Sequence, residues 1–283
     1  MQPETNRFLS EFSTFGIGGP ISHFVSVRTI EEMQSAFAWA RERHLPTLVI
    51  GKGSNSLFSD EGFLGLAILN KIDDCAIEGL RVTVGSGYSF SLLGSQTARR
   101  SLSGLEFASG IPATVGGAIF MNAGANKREA CDALLSVTYL HEDGRSEEFL
   151  REKLLFSYRK SPFQELKGAI VRAVFRLELS LSAKATQLEI VNYRMKTQPL
   201  KEKSIGCIFK NPQKGMSAGA LIEECGLKKC KIGGAEVSDI HANFIINTKN
   251  ASAKDVLELI RIIQWRVKLK TGIELHPEIR VLP

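Results

Sequence analysis

The stretch "TLVIGKGSN", Thr47 to Asn55, decides how the chain is read. Thr47–Ile50 is short and almost wholly apolar, the composition of a fully buried strand, and it runs without a spacer into Gly51-Lys52-Gly53-Ser54-Asn55. A glycine loop at the exit of a buried strand has the ingredients of an anion cradle. Gly51 and Gly53 let backbone amides converge, while Ser54, Asn55 and the following Ser56 add short polar side chains. The spacing matches neither G-x-x-x-x-G-K-[ST] nor G-x-G-x-x-G, and taken alone the loop reads equally well as a tight turn.

Working outward, "HFVSVRT" (His23 to Thr29) is rich in β formers, and "IEEMQSAFAWARERH" (Ile30 to His44) spaces its apolar residues as a helix does. Strand, helix, strand and loop therefore open the chain. Downstream, "GLAIL" (Gly65 to Leu69) and "LRVTVGSG" (Leu80 to Gly87) predict strands, and Phe90 to Ser101 a helix. The turn "HEDG" (His141 to Gly144) predicts a hairpin, and the alternation of "AIVRAVFRLEL" (Ala169 to Leu179) a long strand. Composition shifts at Ser180 to Ala185, which marks a boundary before the helical "TQLEIVNYRMKTQP". Beyond it come "CIFKNP", a helix from near Ser217, strands at "GAEVS" and "NFIINT", a helix over Ser252 to Lys270 and a last strand in "EIRVLP". The class is α+β.

With 283 residues, 43% of them apolar and 23% charged, the chain can build a large core and lacks the charge-rich profile of disorder. Its net charge of +6 is dispersed, with no long basic run, which suits anionic small molecules and argues against nucleic acid. Residues 1–10 lack the apolar core of a signal peptide, and no apolar run is long enough for a membrane span; a cytoplasmic protein is expected. The five cysteines include no C-x-x-C pair, so neither a disulfide framework nor a zinc site is predicted, and no other cluster has metal-ligand spacing.

A second glycine-rich stretch, "GIPATVGGAIFMNAGA" (Gly110 to Ala125), carries almost no charge. Surface loops are usually more polar than this. Gly116, Gly117, Ala118, Ala123 and Gly124 are the small residues that a backbone pressed against an extended ligand needs. Two such segments in one region predict a large phosphorylated cofactor.

Seven blocks, "STFGIGGP", "GKGSNSLFSDEGF", "GIPATVGGAIFMNAGA", "FSYRKSPF", "CIFKNP", "GGAEVSDIHANFIIN" and "HPEIRVLP", resemble in this order the UDP-N-acetylenolpyruvoylglucosamine reductases of bacterial cell-wall synthesis. The compact C-terminal third looks like the short subtype of that family, without an inserted capping loop. The resemblance implies an FAD-binding region of the vanillyl-alcohol-oxidase type in two subdomains, 1–70 and 71–182, followed by a substrate-binding domain, 183–283. FAD would be held by Gly51, Lys52, Gly53, Ser54, Asn55 and Ser56, and by Gly110, Ile111, Pro112, Gly116, Gly117, Ala118, Asn122, Ala123 and Gly124. NADPH would reduce the flavin, and a UDP-sugar carrying an enolpyruvyl ether would be the substrate.

In that chemistry, negative charge grows on the carbon next to the substrate carboxylate, so cations and a proton donor must be in place. Arg159, in "SYRKS", matches the family's catalytic arginine, and Glu278, in "HPEIRVLP", its catalytic glutamate. Without the resemblance they read as a surface arginine and an edge-strand glutamate. Cys207 stands where the family pattern has the proton-donating serine. A free thiol, with a pKa near 8.5, is a stronger acid than an alcohol, but a nearby cation favours the thiolate, which cannot donate. A small buried residue on a strand is the alternative reading of Cys207. Tyr158, Lys210 and Asn211 are candidate substrate contacts, and His241 is read as packing. An oxidase or dehydrogenase on another substrate, or a non-catalytic nucleotide-sugar binder, stays open at this point.

Overall fold

The computed structural model describes residues 2–212 and 215–283. Contacts group the chain into two compact units between which it passes several times. One takes the residues up to Thr5, His23–Lys52 and Leu64–Tyr193; the other takes Asn6–Ser22, Gly53–Phe63 and Arg194–Pro283.

In the first unit, strand Thr47–Ile50 runs parallel to Phe63–Asn70, with Ile50 opposite Leu69. Helix α1 (Ile30–Glu42) starts where the Thr29 side chain accepts from the Glu32 amide, and it buries Met33, Ala36, Phe37 and Ala40. That i, i+3, i+4, i+7 stripe forms a core with Val27, Leu66 and Ile68. A five-stranded antiparallel sheet follows, in the order Ser146–Leu150, Leu134–His141, Gly168–Arg176, Arg81–Gly85, Cys75–Glu78. Its first two strands are the hairpin expected around "HEDG". A second core, with Phe90, Phe107, Phe163 and Phe175, packs this sheet against α2 (Phe90–Arg99) and α3 (Val115–Phe120). Helix α4 (Ala183–Thr197) then leads out, the division between the units falling inside it.

The second unit has a four-stranded antiparallel sheet in the order Ser204–Cys207, Phe244–Asn247, Ala235–Val237, Lys231–Ile232. Its core draws on α5 (Ala218–Glu224) and on α6 (Ala253–Thr271), which buries Val256, Leu259, Ile260, Ile263 and Val267. Ser252 and Asp255 cap α6 reciprocally, and Gly272, at φ 73°, ends it in the left-handed conformation. Asp60 adds to that cap, its carboxylate accepting from the Ala253 and Lys254 amides at 2.9 and 3.2 Å. Strand Ser56–Phe58 pairs in parallel with Arg280–Leu282. Residues directly after the first glycine loop are thus built into the C-terminal unit.

Candidate active site

Three loops converge within the first unit. Gly51 follows strand Thr47–Ile50, and a Cβ placed on it would lie 2.5 Å from Thr114 Oγ1. A Cβ on Gly116 would lie 2.9 Å from that of Ser86, and the Gly116 amide donates to the Ser86 carbonyl at 2.8 Å. Val115 donates to the Tyr88 carbonyl, Phe90 to that of Ala113, and Lys52 Nζ to Ser89 Oγ at 3.2 Å. Where these loops meet, at Gly51 and Gly116, there is room for backbone only. Ser86 and the Tyr88–Ser89 turn complete the set; the glycines of "VGSG" were the available signal for them.

Arg159 sits in a tight turn in which Ser157 and Lys160 exchange amide–carbonyl bonds of 3.2 and 2.9 Å. Its φ of 60° is left-handed, costing a long side chain about 1–2 kcal/mol relative to ordinary backbone. The Arg159 Nη2 donates to the Gly124 carbonyl at 3.2 Å, which brings the guanidinium against the second glycine-rich segment. The same guanidinium lies 4.8 Å from the centre of the Tyr158 ring, and Tyr158 is 46% exposed. Asn122 is fully buried, and its side chain bonds Glu129, the Ser157 carbonyl and the Cys131 amide.

In the second unit Cys207 ends strand Ser204–Cys207 opposite Phe244, across a break in the register. Its residue is partly exposed, between the extremes of core and surface. Glu278 is placed beside it by backbone: its amide donates to the carbonyl of Ile208, the next residue, at 2.7 Å. Phe209 pairs with Pro277, and the Lys210 amide donates to the His276 carbonyl. Asn55 Nδ2 donates to the Glu278 carbonyl at 3.2 Å, while the Arg280 amide donates to the carbonyl of Asn55. Asn243, almost fully buried, holds Phe209 with both ends of its side-chain amide. Asn211 is exposed, and its Oδ1 accepts from the Ala218 amide. His241 accepts from the Asn243 amide, and burial holds its imidazole below the ordinary pKa.

In this unit Arg194 interacts electrostatically with Cys207. Burial lowers the pKa of its guanidinium, while interaction with Cys207 raises it. Arg194 Nε and Gln198 Oε1 are both buried and make no hydrogen bond among the described residues. Neither was singled out in the sequence; their i, i+4 spacing just before Pro199 was the signal. Among the described residues no group of His, Cys, Asp and Glu has the arrangement of a metal site, and no helix is long and apolar enough to cross a membrane.

Family models match along the chain: an FAD binding domain over residues 21–149 and the C-terminal domain of UDP-N-acetylenolpyruvoylglucosamine reductase over 198–282. A protein of that name from Protochlamydia amoebophila is 58% identical over 284 aligned residues, which cover 100% of this chain and 94% of the relative. This chain belongs to the UDP-N-acetylenolpyruvoylglucosamine reductase family. A Chlamydia trachomatis member is 47% identical over 97% of this chain and 94% of its own. The crystal structure of the reductase from Thermus caldophilus superposes with a TM-score of 0.85 at 40% identity, covering all of both chains. The fold is accordingly an FAD-binding region of the vanillyl-alcohol-oxidase type with a reductase C-terminal domain.

Family membership makes the chain an FAD-dependent oxidoreductase. The space beside Gly51 and Gly116 is filled by this chain's own Thr114 and Ser86, whereas a Cβ on Gly117 would meet only Thr114 Oγ1 at 3.3 Å, and Lys52 supplies an exposed ammonium. An open backbone amide region with one cation is compatible with the pyrophosphate of a dinucleotide.

Proposed function

We propose that the protein reduces the enolpyruvyl ether of a UDP-N-acetylglucosamine derivative to the lactyl ether with NADPH, giving UDP-N-acetylmuramate. The reading includes the short subtype without a capping loop, and a functional division into 1–70 and 71–182 for FAD and 183–283 for substrate. FAD, held by Gly51–Ser56 and Gly110–Gly124, supplies hydride to the substrate when bound. The observation that best supports the reading is the backbone bond from Glu278 to Ile208. It ties Glu278, the family's carboxylate position, to the residue that follows Cys207, the family's proton-donor position.

Arg159 is the fixed cation for the substrate carboxylate, where charge grows as the carbon–carbon double bond is reduced. The Cys207 thiol delivers the proton to the carbon next to that carboxylate. Glu278 acts at the same carbon, its backbone held by Asn55 and Ile208. Lys210 meets anionic oxygen of the nucleotide, and Tyr158 and Asn211 meet the sugar portion.

Three measurements test this. The purified protein is expected to be yellow, and to oxidise NADPH only when the enolpyruvyl UDP-sugar is added. Cys207→Ser is expected to keep turnover, and Cys207→Ala to lose about a hundredfold in kcat, the scale of a missing general acid. NADPH oxidation independent of the sugar, or an alanine variant as fast as the parent, would overturn the reading.

A further inference from the structure

The turn that carries Arg159 is held by a side chain outside the residues discussed so far. Gln164 Nε2 donates to the Arg159 carbonyl at 3.2 Å and to the Phe120 carbonyl at 2.8 Å, with Met121 Sδ at 3.7 Å. Phe120 is the last residue of α3, and its carbonyl accepts this bond from outside the helix. The buried Ser161 hydroxyl reaches the same Phe120 carbonyl at 2.7 Å. One amide group thus joins the strained residue to the end of the glycine-rich helix. Asn122 secures the opposite side of the turn through the Ser157 carbonyl at 3.0 Å.

We infer that Gln164 is a positioning residue for Arg159, fastening the carbonyl of its left-handed backbone to α3 so that the guanidinium stays aimed at the substrate carboxylate. This rests on the role proposed above for Arg159. The geometry requires the donor, not merely the volume: a left-handed arginine is an unfavourable conformation, and it persists where surrounding bonds over-determine it. Gln164 is only partly buried and contributes little to the apolar core, so replacing its amide tests position rather than packing.

The test is Gln164→Met, which keeps the volume and loses the donor. Hydrogen exchange of the peptide spanning 157–160 is expected to speed up, with the thermal midpoint of the whole protein within a few degrees of the parent. In steady-state assays of the holoenzyme, kcat is expected to fall about tenfold with the KM for the UDP-sugar changed less than twofold. In an Arg159→Ala background the same substitution is expected to cost nothing further, because the two residues act as one unit. Unchanged exchange at 157–160, an unchanged kcat, or an equal loss in both backgrounds would overturn the inference. Should Arg159→Ala itself keep the parental kcat, the proposed role of Arg159 fails, and the exchange measurement still decides whether Gln164 holds the turn.

Discussion

Gly53 and Gly79 have nearly the same backbone, with φ of 57° and 58°, and opposite surroundings. A Cβ on Gly79 would meet nothing within 4 Å; one on Gly53 would lie 2.3 Å from the Phe12 carbonyl oxygen and 2.9 Å from the Ser13 Cα. Alanine at either site incurs the left-handed penalty of about 1–2 kcal/mol, partly offset by the roughly 0.4–1 kcal/mol gained from a stiffer unfolded chain. Gly79→Ala is therefore expected to cost between about 0 and 1.6 kcal/mol. At position 53 backbone must also move away from backbone, an overpacking cost of about 1–3 kcal/mol, for a total of about 1–4.6 kcal/mol. Urea unfolding of both variants, followed by far-UV circular dichroism, measures the difference directly, since the shared φ term cancels. The displaced loop includes Asn55, so Gly53→Ala is also expected to weaken the hold on Glu278 and lower kcat, while Gly79→Ala leaves it unchanged. Equal stabilities for the two variants would refute the reasoning, because the packing of Phe12 against the loop would then carry no energy.

Two further outcomes follow from charges in the second unit. Arg194 interacts electrostatically with Cys207, and a cation beside a thiol favours its reactive thiolate, so Arg194→Gln is expected to slow iodoacetamide modification of that residue at neutral pH several-fold, and Arg194→Lys to keep most of the rate; mass spectrometry of the peptide carrying Cys207 separates it from the other four cysteines. Burial holds His241 below its ordinary 6.5, so below that pH the unfolded chain takes up the proton more readily than the folded one; stability is expected to decline as pH falls from 7 to 5, with a shallower slope in His241→Gln.

Patterns with a short repeat were legible. The apolar stripe of α1, the span of α6, and the hairpin around "HEDG" all lie where periodicity and turn chemistry put them. What escaped depends on partners far along the chain. "GKGSNSLFSDEGF" reads as one cofactor loop, yet from Gly53 onward it belongs to the second unit, where Asp60 caps α6 and Ser56–Phe58 pairs with Arg280–Leu282. Nothing local in Asp60 announces a helix nearly two hundred positions away. The site shows the same limit: small residues gave away the converging loops, whereas the conformation of Arg159 and the burial of Arg194 are consequences of tertiary packing.

The bond between Asn55 and Glu278 spans 223 positions, and this has a consequence for a nascent chain. At ribosomal speeds of about 5–20 residues per second, roughly 10–45 s separate the synthesis of the two ends. Throughout that interval Ser56–Phe58 has no strand to pair with and Leu57, later fully buried, has no core to enter. The part of the glycine loop that serves the C-terminal unit therefore takes its working shape only after Arg280–Leu282 has been made, which leaves an unfinished chain without a completed site.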